Sequence, residues 1–250
     1  MANVWQLENT RVTAFLPNFK LDGGDDWFEA CLRVSPDTTE YRRAEGLKVD
    51  TAIIDRLSFT LLRRMGRVDW LISAEPAGDG EMVIGLSDPS KLPAFIAPIR
   101  EWLAQLSEVT RVAFGLIAKL QARDKEDGYR LLAHYLPSIT IDPIGSAELQ
   151  YKINRPRTLP VAGEEVLINR LSSWNAIFVQ KFVQEISSGQ DGIGGGVVSR
   201  IDSVGHWARC ELDINTDTKR TEAFSDQGKV AALDVLISLA VEILEQGDIP

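Results

Sequence analysis

"SSWNAIFVQKFVQEIS", Ser172–Ser187, is the stretch on which the fold turns, because Trp174, Phe178, Phe182 and Ile186 recur every four residues. A spacing of four lines one face of a helix and, being a multiple of two, also one face of a strand. The length favours a helix and the Ile, Phe and Val content favours a strand. The helix is the reading adopted, with a strand as the open alternative across residues 173–187.

Downstream, "GQDGIGGGVVSR" (Gly189–Arg200) is rich in glycine, but it leads into a strand and not into a helix. Phosphate loops of the common kinds need the helix N-terminus that follows them, so a flexible connection or a bulged strand entrance is expected here. A strand pair should surround Gly205, with "VVSRIDS" before it and "HWARCELDIN" after it. A helix from about Asp226 to Gln246, apolar around most of its circumference, closes the chain and should be buried.

Upstream, "YKINRPRTLPVAGEEVLINRLSSW" (Tyr151–Trp174) carries Ile-Asn-Arg twice, at Ile153–Arg155 and Ile168–Arg170. Two antiparallel strands joined through "TLPVAGE" account for the echo. In the first half, "RVTAFLP", "WFEACLRV", "VDWLISAE", "EMVIGLS" and "VTRVAFGLIAKLQ" read as strands, with a hairpin turn at Gly78-Asp79-Gly80. "VDTAIIDRLSFTLLRRMG" (Val49–Gly66) reads as a helix with Asp50 as N-cap, because Ile53, Ile54, Leu57 and Leu61 fall at helical spacing. "DPSKLPAFIAPIREWLAQLSE", irregular at Pro98, and "DKEDGYRLLAHYLP" supply two more helices. The expected fold is α+β: a mainly antiparallel sheet with inserted helices and a buried C-terminal helix, with a hint of two similar halves. A boundary at residue 143 divides residues 1–142 from 143–250, as two halves or as parts of one continuous domain.

Charge and composition narrow the functions. The net charge is -9, with 25% charged and 44% hydrophobic residues. Nucleic acid is therefore not expected as the main ligand, since such binding draws on basic side chains. No apolar run is long enough for a membrane span, because Asp234 and Glu242 interrupt the greasiest segment. The N-terminal "MANVWQLENTRV" lacks the basic start and apolar run of a secretory signal. Cys31 and Cys210, the two cysteines, are far apart and read as free thiols in a reducing compartment, so a cytoplasmic location is expected.

Catalytic machinery is sparse. His134 and His206 are the two histidines, and each reads as a packed or surface residue. Asp213-x-Asn215-x-Asp217 imitates an EF-hand start, but Thr218 replaces the turn glycine and Phe224 the bidentate glutamate. No metal and no cofactor is called for. Asp234, set inside the apolar last helix, is expected to form a structural salt bridge.

Arg155, Arg157, Arg170 and Trp174 are the candidate partner-binding residues, because guanidinium forks and an indole suit interface anchors. From Ala147 to Arg220, however, nine Lys/Arg are matched by nine Asp/Glu, which leaves no steering field. The expected function is a non-catalytic cytosolic interaction or adaptor subunit, with a protein partner or a second copy of the chain. The alternatives are a metal-dependent phosphodiester hydrolase using Asp202, Asp213 and Asp217, and a sensor of phosphate or nucleic-acid ligands.

Overall fold

The structure, a computed structural model, describes residues 4–21, 26–74, 89, 92–187 and 196–249, by backbone alone across 180–187 and 196–204. The expected hairpin turn at Gly78–Gly80, the strand "EMVIGLS" and the glycines from Gly189 to Gly195 lie outside the described residues. Strand β1 (Gln6–Phe15) is followed by helix α1 (Trp27–Leu32), then β2 (Thr38–Arg42), β3 (Leu47–Ile54), β4 (Leu57–Arg64) and β5 (Arg67–Ala74). Helix α2 (Leu92–Gln105), β6 (Arg111–Ala122) and helix α3 (Lys125–Tyr135) come next. The chain finishes with β7 (Gln150–Asn154), β8 (Arg157–Val161), β9 (Glu164–Ser187), β10 (Gly196–Thr216) and helix α4 (Asp226–Gln246). This is the expected α+β class, with one 10-stranded sheet in the order β2-β3-β4-β5-β1-β6-β10-β9-β7 and β8 also on β9. All of its pairings are antiparallel.

The order repeats. Along β1–α2 and again along β6–α4, the strand that follows the local hairpin returns to pair with the first strand of its run, β5 with β1 and β10 with β6, and a helix follows. The two first strands, β1 and β6, pair with each other at the middle of the sheet. The row Leu61, Trp70, Val12, Phe114 and Ile214 crosses the sheet on the face that the helices cover. Helices α1 and α2 reach it through Phe28 and Trp102, whose rings lie 5.5 and 5.9 Å from that of Trp70. Helix α3 reaches it through Tyr135, stacked on Trp174 at 5.9 Å. Ser225 caps α4 by accepting the Gly228 N–H at 3.0 Å. Buried Lys229 of α4 donates to the Leu106 carbonyl just past α2, the favourable place for a cation beside a helix C-terminus.

Several expectations are corrected. Val49–Gly66 is the hairpin of β3 and β4, not a helix. Its two turn residues, Asp55 and Arg56, have φ of 50° and 67°, as a tight hairpin loop with the sheet's own twist requires. That turn shifts the inward set from even to odd positions, so paired Ile54 and Leu57 are followed by Leu61 at separations of three and four. Those are helical separations arising in a sheet. Asp50, expected as a helix cap, is buried in β3 and ion-pairs with buried Arg63 of β4.

Trp27–Leu32 is helical, not extended: the Ala30 and Arg33 N–H groups donate to the Asp26 and Glu29 carbonyls. One buried anchor, Phe28, suffices to hold so short a helix. Ser172–Ser187 is strand throughout, since it pairs along its length with β10, a partner that the four-residue period does not reveal. The same pairing makes Gly205 an interior residue of β10, with His206 in the strand, and not a turn. Within "TLPVAGE" the turn is confined to Ala162-Gly163, with φ of 49° and 90°, and the rest belongs to β8 and β9.

Candidate partner-binding surface

The Ile-Asn-Arg echo lies on paired strands. Asn154 pairs with Leu171 and Arg157 with Ile168, and the Arg155 N–H donates to the Arg170 carbonyl at 3.3 Å. The two asparagines bind each other, Asn154 Nδ2 to Asn169 Oδ1 at 3.1 Å, and Asn169 passes the chain on to Asn215 of β10 at 3.2 Å. Here β7 ends and β8 begins, both on the same edge of β9.

The arginines turn from this junction toward α4 and the residues after it. Arg155 grips Asp248 with two bonds of 2.7 and 2.9 Å, and Tyr151 donates its hydroxyl to the same carboxylate at 2.8 Å. Burial works against the Asp248 charge, but the bonds from Arg155 and then Tyr151 outweigh it and hold its pKa below the ordinary value. The Asp248 bond in turn raises the pKa of Arg155. The Asp248 N–H donates to the Tyr135 carbonyl at 2.8 Å, so this locks α3 to the end of α4 as well.

Glu242 of α4 lies 3.3 Å from Arg157 and 3.9 Å from Arg170. Arg170 is buried, and burial first, then neighbouring Arg157, lowers its pKa. Trp174 has no exposed surface and packs against both Tyr135 and Trp5, which also meet each other at 5.1 Å. The four residues therefore come together, and what they hold is the chain's own α3, α4 and tail. Asp234 forms the expected salt bridge, half-exposed, through two 2.8 Å bonds from Arg100 of α2.

The surface that stands open lies one step further along the same stripe. Beyond Asn175, β9 pairs only with β10 among the described residues, and beyond His206 toward Gly196, β10 pairs only with β9. Residues 176–187 and 196–205 thus form a two-stranded ribbon extending roughly 40 Å past the sheet. Trp174, Ala176 and Phe178 share one face of β9, and α3 covers only the first two. Gly128 is the point of α3 that lies over Ala176: a Cβ built on it would be in ordinary contact with the Ala122 Cβ at 3.7 Å and the Ala176 Cβ at 3.9 Å.

Past Gly128 the cover stops. Phe178 is 57% exposed and stacks on His206 at 5.6 Å. A groove of about 400 Å³ opens here, lined by Gly128, Tyr129, Ala147, Ala176, Phe178 and His206. Its floor is apolar, with Asp124, Lys125 and Glu148 around it. Of these residues the sequence pattern marked only Phe178 and His206, and it marked neither as exposed floor of a groove.

The groove holds no evident nucleophile or metal set. Among the described residues no three His, Cys, Asp or Glu side chains come together to hold an ion. Asp213 is committed to Arg11 at 3.7 Å and to Asn215 at 3.4 Å, while Asp217 accepts the Lys219 N–H at 3.0 Å. Burial and then Glu101 push the Cys31 thiol up to about 12, and burial raises Cys210 well above its usual range. A thiol so shifted is a poor nucleophile at neutral pH. No helix among the described residues is long and apolar enough to cross a membrane.

Comparison with protein-family models and with curated proteins returns no match for this sequence.

Proposed function

We propose that the chain is a non-catalytic, cytoplasmic interaction subunit that takes an apolar segment of a protein partner into the groove between α3 and the root of the β9–β10 ribbon. The observation that carries this reading is Phe178. It belongs to the stripe that forms the core beneath α3, yet it is 57% exposed where the stripe leaves the helix. Large aromatics on an apolar floor with a polar rim are the usual anchors of protein interfaces. About 100 Å² of the phenylalanine remains to be buried, worth roughly 2.5 kcal/mol at 25 cal/mol per Å².

The test is a paired isolation of the wild-type chain and Phe178→Asp from the native cells, under mild salt, with mass spectrometry of what accompanies each. A protein retained in stoichiometric amount by the wild type and lost from a folded Phe178→Asp supports the reading. A wild-type chain that comes out alone, or a partner retained equally by both, overturns it.

A further inference from the structure

The ribbon has a second property, separate from the groove at its root. From Val179 to Ser187 one edge of β9 is occupied by β10, and the other meets no described strand. Such an edge carries backbone N–H and C=O groups ready to template another strand, and a ribbon of two strands is marginal alone in water.

Among the described residues, the sheet's other free edges are poorer templates. Edge strands β2 and β7 are five residues each, and β2 is exposed throughout, with Glu40 and Arg42 on it, the short charged kind that resists pairing. The free edge of β10 is broken by a register shift between Ile201 and Ser203, and a bulge twists an edge away from a partner. The extra residue of that shift, Asp202, belongs to β10 and lies opposite Phe182 and Lys181, so β9 itself carries no inserted residue over the nine positions 179–187.

We propose that a second copy of this chain adds to that edge, antiparallel, about a two-fold axis at Val183, making one sheet across two chains. The sequence "VQKFVQEIS" (Val179–Ser187) is self-complementary in this register alone. An axis at Val183 sets Lys181 opposite Glu185 of the second copy and, by symmetry, Glu185 opposite its Lys181. Moving the axis to Lys181 or to Glu185 opposes like charges, and axes at Phe182 or Gln184 leave every charge opposite an uncharged residue. Cross-strand pairs of opposite charge stabilise and like pairs destabilise, so the sequence selects one arrangement. An isologous contact of this kind closes at two copies and does not propagate along the edge. It also brings together two copies that each carry a net charge of -9 at a segment whose own charges balance.

The experiment is sedimentation equilibrium of the full chain from about 1 to about 100 μM, on wild type, Glu185→Lys, Lys181→Glu and the double swap carrying both. The expected result is a wild-type dimer, dissociation constants raised roughly tenfold or more in each single variant, and recovery in the double swap, where opposite charges face again. Far-UV circular dichroism confirms that each is folded, and the double swap remains decisive if a single variant is not. A monomeric wild type overturns the proposal. So does a dimer whose constant ignores the single changes, or a double swap as weak as its parents. Retention of a partner at Phe178 is read separately, so the groove and the edge stand or fall independently.

Discussion

Asp248→Asn removes one charge and almost no volume, and its cost follows from the contacts. The carboxylate is 5% exposed and receives two bonds from Arg155, at 2.7 and 2.9 Å, and one from Tyr151 at 2.8 Å. Hydrogen bonds to a charged group contribute about 1.5–3 kcal/mol each. Asparagine keeps one acceptor, and Arg155, 24% exposed, recovers part of its hydration. The expected loss is therefore about 2 kcal/mol, a fall of roughly 4–8 °C in melting temperature for a chain of this size.

The loss should depend on pH. The folded carboxylate titrates below its unfolded value, so its stabilisation is fully present above about pH 5 and is lost as the pH falls through the folded pKa. Urea denaturation of wild type, Asp248→Asn, Arg155→Met and the double variant at neutral and acid pH reads both features. A neutral-pH loss under about 0.5 kcal/mol, no coupling between the two sites, or a gap that persists undiminished in acid would refute the reasoning.

Two further outcomes follow from the hairpin of β3 and β4. Asp50→Ala removes the carboxylate that ion-pairs with buried Arg63 and accepts from the Thr39 hydroxyl, and should cost about 3 kcal/mol, whereas Asp50→Leu with Arg63→Met should recover most of that loss in chemical denaturation. Replacing Asp55-Arg56 with Asn-Gly, residues that accept positive φ at both positions, should raise stability by about 1 kcal/mol in the same assay.

What the sequence discloses depends on whether its signal is local. Helix α4 is legible from Asp226 to Gln246 because the apolar pattern runs for six turns behind a serine cap. β6 is legible because nothing interrupts it. The β3–β4 hairpin is not, because its turn residues are Asp-Arg and not Asn-Gly, and the parity change at the turn counterfeits a helix. β9 is not, because the strand that decides it, β10, comes later in the chain.

The same limit governs the site. Arg155, Arg157, Arg170 and Trp174 stand out as a group, but their partners are Glu242 and Asp248, 85 and 93 residues from Arg157 and Arg155. Nothing near them in sequence announces those carboxylates. The groove is likewise assembled from α3, β9 and β10, and Phe178 announces its apolar character without announcing that α3 stops short of it.

The most direct measurement places a photo-reactive phenylalanine analogue at position 178, with the same analogue at Met65, a 77% exposed turn residue remote from the groove, as control. After irradiation in the native cells, the account expects one defined adduct with a protein other than this chain at position 178 and none like it at position 65. No adduct at 178, adducts only with its own chain, or the same adducts at both positions would contradict it.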